Sequence, residues 1–275
     1  MTICLYRELY DTIIDCIDDP ITLGACSLSC KAFLPTSRRH LFHTIDLFNR
    51  DIANRFIDII CSAPAATNPS SYVRRLRIQE GRDLYEEFDP LWFNTALPIL
   101  TTTLLEVTVL ELENMRWNSL DDEVHTIFMS GFQKVKGLKM VFGKFQTSEE
   151  MYRLISTFPS LTHLEICEPY CTDHLTLTIP LIPLPITLKF LSLPSDYSNH
   201  FEQLLSMEAH PHIHALELKF EYLADIRSIS RLLNMTASGL EHLDLDKLWS
   251  TRDAEGLLPF MFDFLGTNPS FQYLL

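Results

Sequence analysis

One short pattern recurs along the whole chain: an apolar residue, two variable residues, an apolar residue, one variable residue and a third apolar residue. Eight full copies are present, and neighbouring copies lie 25 to 34 residues apart. The middle apolar residues are Ile45, Leu76, Leu110, Leu138, Leu164, Leu191, Leu216 and Leu243. Because side chains alternate between the two sides of a strand, the last two apolar positions share one face. Each copy therefore predicts a strand with one buried side.

The segments between the copies mostly carry helical periodicity. Apolar residues recur at helical spacing over 51–62, 148–158 and 225–235, and Thr147 with Glu150 forms a predicted capping box. A repeat of about 20–29 residues that holds one strand and one helix is typical of leucine-rich repeats. The pattern predicts an α/β leucine-rich-repeat solenoid, a horseshoe, over residues 46–275. A generic α/β sheet would share the alternation, but it has no reason to keep one period.

Two stretches depart from this regularity. Four prolines between the fifth and sixth copies leave no room for an ordinary helix, so we expect an extended convex segment there. A ninth copy begins at Phe271 and the given sequence stops inside it, after a strongly apolar segment over 257–265. Terminal repeats need a polar cap. We therefore expect a longer natural chain, burial of this end against a partner, or fraying with fast amide exchange beyond about residue 253.

Composition indicates an intracellular protein. The sequence has no uncharged apolar stretch of membrane-spanning length, no signal peptide, and seven cysteines without regular spacing. Its net charge of −14 disfavours binding to nucleic acid. We expect a cytoplasmic or nuclear location, or both, and no membrane or nucleic-acid partner.

Motifs for catalysis are missing from the sequence. It contains no G-x-G-x-x-G, no phosphate-binding loop and no G-x-S-x-G elbow. Two clusters could be considered as metal ligands, but neither has a recognised zinc spacing: His210, His212 and His214, and Cys167, Cys171 and His174. We expect no enzyme activity, no cofactor and no metal site, with the cysteines as buried thiols beside a loop.

The first 45 residues do not repeat and predict three short helices. The first covers about 7–17, with an apolar stripe of Leu9, Ile13, Ile14 and Ile17 and with Asp11 and Asp15 on the opposite side. Asp19 is a predicted N-cap and Pro20 a first helical residue for a second helix that runs to about Phe33. Pro35 opens the third. Helices of this size bury little surface and favour a partner.

These residues resemble a known family. The resemblance is carried by Leu5-Tyr6-Arg7-Glu8-Leu9, Ile13-Ile14-Asp15, Leu23-Gly24-Ala25-Cys26-Ser27-Leu28-Ser29-Cys30-Lys31-Ala32-Phe33 and Ser37-Arg38-Arg39-His40-Leu41-Phe42. In order and spacing they are similar to an F-box, as found in the F-box-like leucine-rich-repeat proteins abundant in mushroom-forming fungi. Tyr6 stands where that family usually has proline, and Phe33 where it usually has tryptophan. The motif fits a domain at 1–45.

The resemblance implies a substrate-recognition subunit of a cullin–RING ubiquitin ligase. An F-box docks on the Skp-type adaptor of the ligase, and the repeats hold a protein substrate. The adaptor-binding residues that the resemblance implies are Leu5, Glu8, Leu9, Ile13, Leu23, Cys26, Ser27, Cys30 and Phe33. Two alternatives remain open: the helices only cap the first repeat, or the chain is a stand-alone interaction scaffold without any ligase. Only docking requires Leu5, Leu9, Ile13 and Phe33 to be partly exposed on one face.

The strand pattern also predicts which residues face a substrate on the concave side. They are Arg75, Arg77, Glu111, Glu113, Lys139, His163, Glu165, Phe190, Glu217, Lys219, His242, Asp244 and Asp246. Their charge runs from basic near the N-terminal helices to acidic at the far end. This gradient favours a basic substrate whose cationic end faces Asp244 and Asp246, unless these charges pair with each other or the substrate binds to loops.

Overall fold

The computed structural model describes residues 7–64, 67–80, 90–171, 184–194, 211–219, 226–236, 239–246 and 272–273. The chain divides into two compact units. The first comprises Met1–Glu111 and Leu120–Lys134, and the second comprises Leu112–Ser119 and Val135–Leu275. Among the described residues, no helix is long and apolar enough to cross a membrane.

The first unit opens with three helices, α1 (Arg7–Asp15), α2 (Pro20–Ser29) and α3 (Leu34–Leu41). Asp19 caps α2, because its carboxylate accepts a hydrogen bond from the Thr22 N–H at 2.7 Å, and this prediction is confirmed. The second helix ends before Phe33, since Cys30 is extended. In its last turn the Ser27 and Ser29 hydroxyls bond to backbone carbonyls, which competes with helix continuation.

The repeating part of the first unit alternates strands with helices. Its elements are β1 (Thr44–Leu47), α4 (Arg50–Ser62), a 3₁₀ turn (Pro69–Tyr72), β2 (Arg75–Gln79), α5 (Pro90–Thr103), the first residues of β3 (Val109–Glu113) and α6 (Asp122–Ser130). Strands β1 and β2 are parallel, with Ile45 opposite Leu76. The Arg74 carbonyl then accepts from Thr108 and Val109, which places β3 beside β2.

The second unit continues the alternation. Its described elements include a 3₁₀ turn (Trp117–Ser119), β4 (Gly137–Val141), β5 (Lys144–Phe145), α7 (Ser148–Ser156), β6 (His163–Cys167), β7 (Tyr170–Cys171), β8 (Phe190–Pro194), β9 (Ala215–Lys219), α8 (Ile226–Thr236), β10 (His242–Asp246) and β11 (Gln272–Tyr273). The main sheet of this unit has the order β4-β6-β8-β9-β10-β11, and its pairs are parallel. Both units are therefore α/β structures with parallel strands in chain order.

The strand register agrees with the sequence pattern. The middle apolar residues of successive copies are directly opposite one another, as Leu138, Leu164, Leu191, Leu216 and Leu243 show. Most of the pattern residues are buried, including Leu76, Ile78, Leu110, Leu164, Ile166, Leu191, Leu193, Leu216 and Leu218. The predicted inward side of the strands is confirmed.

A recurring turn after the strands was not predicted. Asn114, Phe142 and Glu168 each follow a strand and have positive φ angles of 56°, 52° and 45°. Residues other than glycine seldom adopt this conformation. It redirects the chain into a second, short parallel ladder, in which β5 pairs with β7.

The helix start at Thr147 differs in one detail from the predicted capping box. The Thr147 hydroxyl accepts from the Glu150 N–H at 3.2 Å, as expected. The Glu150 carboxylate, however, accepts from the N–H of Gln146 at 2.9 Å, one residue before the cap.

Two predictions fall on residues outside those that the structure describes. The predicted extended segment lies mostly in 172–183, and the predicted fraying concerns the chain beyond about residue 253, of which only 272–273 are described.

Candidate protein-interaction surfaces

Helix α1 turns its acidic side toward α3. Thr36 donates a hydrogen bond to the Asp11 carboxylate, and Arg39 and His40 each contact the Asp15 carboxylate at 2.6 Å. The His40 bond, followed by the Arg39 bond and charge, holds the pKa of Asp15 below its ordinary value. The sequence did not predict that α3 would supply polar partners for Asp11 and Asp15.

The opposite side of α1 is exposed. Leu9 is 48% exposed and Ile13 47% exposed, whereas Ile14 is fully buried. Leu9 and Ile13 are four residues apart and so lie on one helix face. The predicted apolar stripe is thus divided: Ile14 belongs to the core, and Leu9 with Ile13 forms an apolar strip on the surface.

Helix α2 exposes a second apolar strip. Ile21 is 83% and Leu28 is 89% exposed, and their seven-residue separation places them on one face with the exposed Ala25. Leu23 is only 4% exposed, so it packs inside instead of offering a surface contact. Neither Ile21 nor Leu28 was among the predicted adaptor-binding residues, although their spacing on an apolar helix was visible. We call Leu9, Ile13, Ile21 and Leu28 the helical apolar surface.

The other predicted adaptor-binding residues are distributed around these strips. Glu8 is exposed, while Cys26, Ser27, Cys30 and Phe33 are half-buried. The Phe33 ring meets the Tyr10 ring edge-on with centroids 5.3 Å apart, which joins α1 to the start of α3. Leu5 lies outside the described residues.

Some charged residues on the outward faces of the strands form ion pairs with residues of the neighbouring strand. Arg75 contacts Glu111 at 3.4 Å within the first unit, and Lys139 contacts Glu165 at 2.8 Å within the second. Glu113 and Arg77 are half-buried and also have partners. The positive charge predicted near the N-terminal helices is therefore partly neutralised, because Arg75 pairs with Glu111.

The outer side of β8, β9 and β10 carries two rows of residues in register. One row is Phe190, Ala215 and His242, and the next is Ser192, Glu217 and Asp244. The Phe190 ring stacks on His163 with centroids 5.7 Å apart and planes 25° from parallel. Two residues further along the strands than Glu217 and Asp244, Lys219 is opposite Asp246. Ser192 was not predicted as a site residue, although it occupies an outward position of its copy.

The two considered metal-ligand clusters are not assembled in the described residues. Cys171 is buried, which raises the pKa of its thiol, whereas Cys167 is half-buried. His214 contacts Glu241 at 3.3 Å, and His212 is exposed. His174 and His210 lie outside the described residues. Within the described part of the chain, no group of three or more His, Cys, Asp or Glu side chains is placed to hold a metal ion.

Comparison with known proteins finds distant likenesses among solved structures alone. No family model matches the chain, and no curated protein matches it. Among solved structures, the chain is similar to the leucine-rich repeat-containing protein LegL7 from Legionella pneumophila. The sequences are 16% identical and the TM-score is 0.45, with 74% of this chain and 70% of that chain covered.

Proposed function

We propose that this protein is a non-enzymatic substrate receptor of a cullin–RING ubiquitin ligase. Its N-terminal helices dock as an F-box on the Skp-type adaptor, and its leucine-rich repeats hold a protein substrate on the outer side of the sheet. The proposal places it in the cytoplasm, the nucleus or both. The observation that carries it is the helical apolar surface, because the four exposed side chains belong to the segment that resembles an F-box.

The exposure of these side chains supports a docking role. Single exposed apolar residues are common on soluble proteins, but strips on helix faces mark interaction sites. Burying one leucine or isoleucine side chain contributes roughly 1.5–3 kcal/mol. Ile21 and Leu28 are more than four-fifths exposed, so nearly all of that free energy is available to a partner.

The contacts between α1 and α3 support a preformed site. Asp11 bonds to Thr36, and Asp15 bonds to Arg39 and His40, so α1 is fixed to α3 by several side-chain contacts. The Tyr10–Phe33 ring contact adds an apolar anchor between the same segments. A surface whose supporting side chains are already placed loses less conformational entropy when a partner binds.

Binding of the purified full chain to a purified Skp-type adaptor tests the proposal directly. Affinity can be measured by isothermal titration calorimetry for the wild type and for Ile13→Asp and Leu28→Asp. A charge placed in a desolvated apolar contact costs several kcal/mol. We therefore expect each variant to lose at least about a hundredfold in affinity, which corresponds to roughly 2.8 kcal/mol.

A matched control is available on another helix. Ile59 of α4 is 47% exposed, the same as Ile13, but it lies outside the F-box-like segment. Ile59→Asp should therefore bind the adaptor like the wild type, and thermal unfolding should show all three variants folded. A wild-type chain that does not bind the adaptor, or variants that bind unchanged, would refute the proposal and favour the stand-alone scaffold.

A further inference from the structure

The two rows on the outer side of β8, β9 and β10 form a geometrically defined surface. Leu191, Leu193, Leu216 and Leu218 are fully buried. The intervening residues of the same strands therefore face the other way. On that side, Ala215 lies between Phe190 and His242, and Glu217 lies between Ser192 and Asp244.

The first row leaves a gap between two rings. One face of Phe190 is stacked on His163, so its other face is directed along the sheet toward Ala215. Alanine fills little space, and the next residue of the row is His242. Two strand spacings separate Phe190 and His242, roughly 9.5 Å at their backbones. A flat group needs about 7–8 Å to make contact with a ring on each side.

The second row places negative charge next to this gap. Glu217 and Asp244 are opposite each other on neighbouring strands, two residues along from Ala215 and His242. Two carboxylates side by side offer several acceptor oxygens at once to a cationic group that carries several N–H donors. Both side chains are partly accessible to solvent, so a ligand can reach them.

Ser192 supplies an independent sign of a missing ligand. It stands in the same row, between Glu165 and Glu217, and it is fully buried although its position faces outward. Its hydroxyl oxygen has no hydrogen-bond partner. A buried hydroxyl without a partner is unfavourable, because it has lost its water and gained nothing in return. An N–H donor that binds the Glu217 carboxylate would lie next to the Ser192 hydroxyl.

We propose that this surface recognises an arginine side chain of a protein partner. The guanidinium plane lies between Phe190 and His242, its N–H groups donate to Glu217 and Asp244, and the Ser192 hydroxyl accepts a further bond. Arginine suits the site better than lysine because it is planar, stacks on aromatic rings and presents several fixed donors. The proposal rests on the proposed function for the use of the sheet as a substrate surface, and it names the chemistry of that substrate.

Selection from a random peptide library tests this inference. A phage-displayed library of random dodecapeptides is panned on the full chain, and enriched peptides are synthesised with a fluorescent label. Fluorescence anisotropy then gives the affinity of each peptide and of versions with arginine replaced by lysine or by citrulline, which keeps the shape and removes the charge. We expect a shared arginine in the enriched peptides and at least about a tenfold loss for either replacement.

Variants locate the site. The double variant Glu217→Gln, Asp244→Asn should lose at least about tenfold in affinity, and it should no longer distinguish arginine from citrulline. Glu123→Gln on α6, an exposed carboxylate in the other unit, serves as the matched control and should bind the peptide unchanged. Thermal unfolding verifies that each variant is folded, since these replacements hardly alter side-chain volume.

The results separate this inference from the proposed function. Leu28→Asp should lose adaptor binding and retain peptide binding, because it changes only the helical apolar surface. Peptide binding without any adaptor binding would refute the ligase role and support the arginine site. Adaptor binding without enrichment of arginine, or peptide affinity unchanged in the double variant, would overturn the arginine site alone.

Discussion

Replacing Ser192 by alanine should raise the stability of the protein and lower its affinity for a partner. The Ser192 side chain is fully buried, and its hydroxyl has no hydrogen-bond partner. Leaving such a group buried costs about 1–3 kcal/mol. Alanine removes the oxygen and keeps the β-carbon, at the cost of a few tenths of a kcal/mol for its lower strand propensity. The net gain should be about 1–2 kcal/mol.

Equilibrium urea unfolding and thermal scans measure this gain. The urea midpoint should rise while the slope stays unchanged, because the surface exposed on unfolding is the same. For a chain of this size, a gain of 1 kcal/mol corresponds to roughly 2–4 °C in Tm. We therefore expect an increase of about 2–8 °C, together with weaker binding of an arginine peptide selected on the wild type.

Ser37 provides the control for this prediction. It lies in α3 of the other unit, is fully buried, and its hydroxyl also lacks a partner. Ser37→Ala should be stabilising for the same reason, helped by the helix propensity of alanine. It should leave peptide binding unchanged. A loss of stability in Ser192→Ala would show that the hydroxyl makes a stabilising bond, and the argument from an unpartnered group would fail.

Two further predictions concern the core and the N-terminal helices. Leu164→Ala should destabilise by roughly 2–5 kcal/mol in urea unfolding, whereas Glu165→Ala should cost about 1 kcal/mol or less, and equal losses would refute the strand register. The pKa of Asp15 is lowered by His40 and Arg39, so its contribution to stability is present above the unfolded pKa and is lost as pH falls through the folded one. The urea midpoint should therefore fall as the pH is lowered below the ordinary aspartate pKa of 3.8, and Asp15→Asn should show a smaller fall; an identical fall would contradict this assignment.

The repeat and its register could be predicted from the sequence because both depend on local periodicity. A strand with one buried side needs apolar residues two apart, and this requirement placed Leu164, Leu191 and Leu216 correctly. The Asp19 cap likewise follows from a side chain and a backbone N–H only three residues apart. The turns at Phe142 and Glu168 could not be predicted, since neither residue type favours a positive φ.

Which side of a helix is covered was decided only by the tertiary structure. The pattern of α1 shows that its two sides differ. Only the packing of the helices buries Ile14, leaves Ile13 exposed and gives Asp15 its partners Arg39 and His40. The sequence pattern also predicts, for each strand by itself, which residues face outward. Only parallel pairing brings Ser192, Glu217 and Asp244 into one row, because these residues come from strands more than twenty residues apart in the chain. Periodicity is a property of neighbouring residues, whereas a site depends on contacts between distant ones.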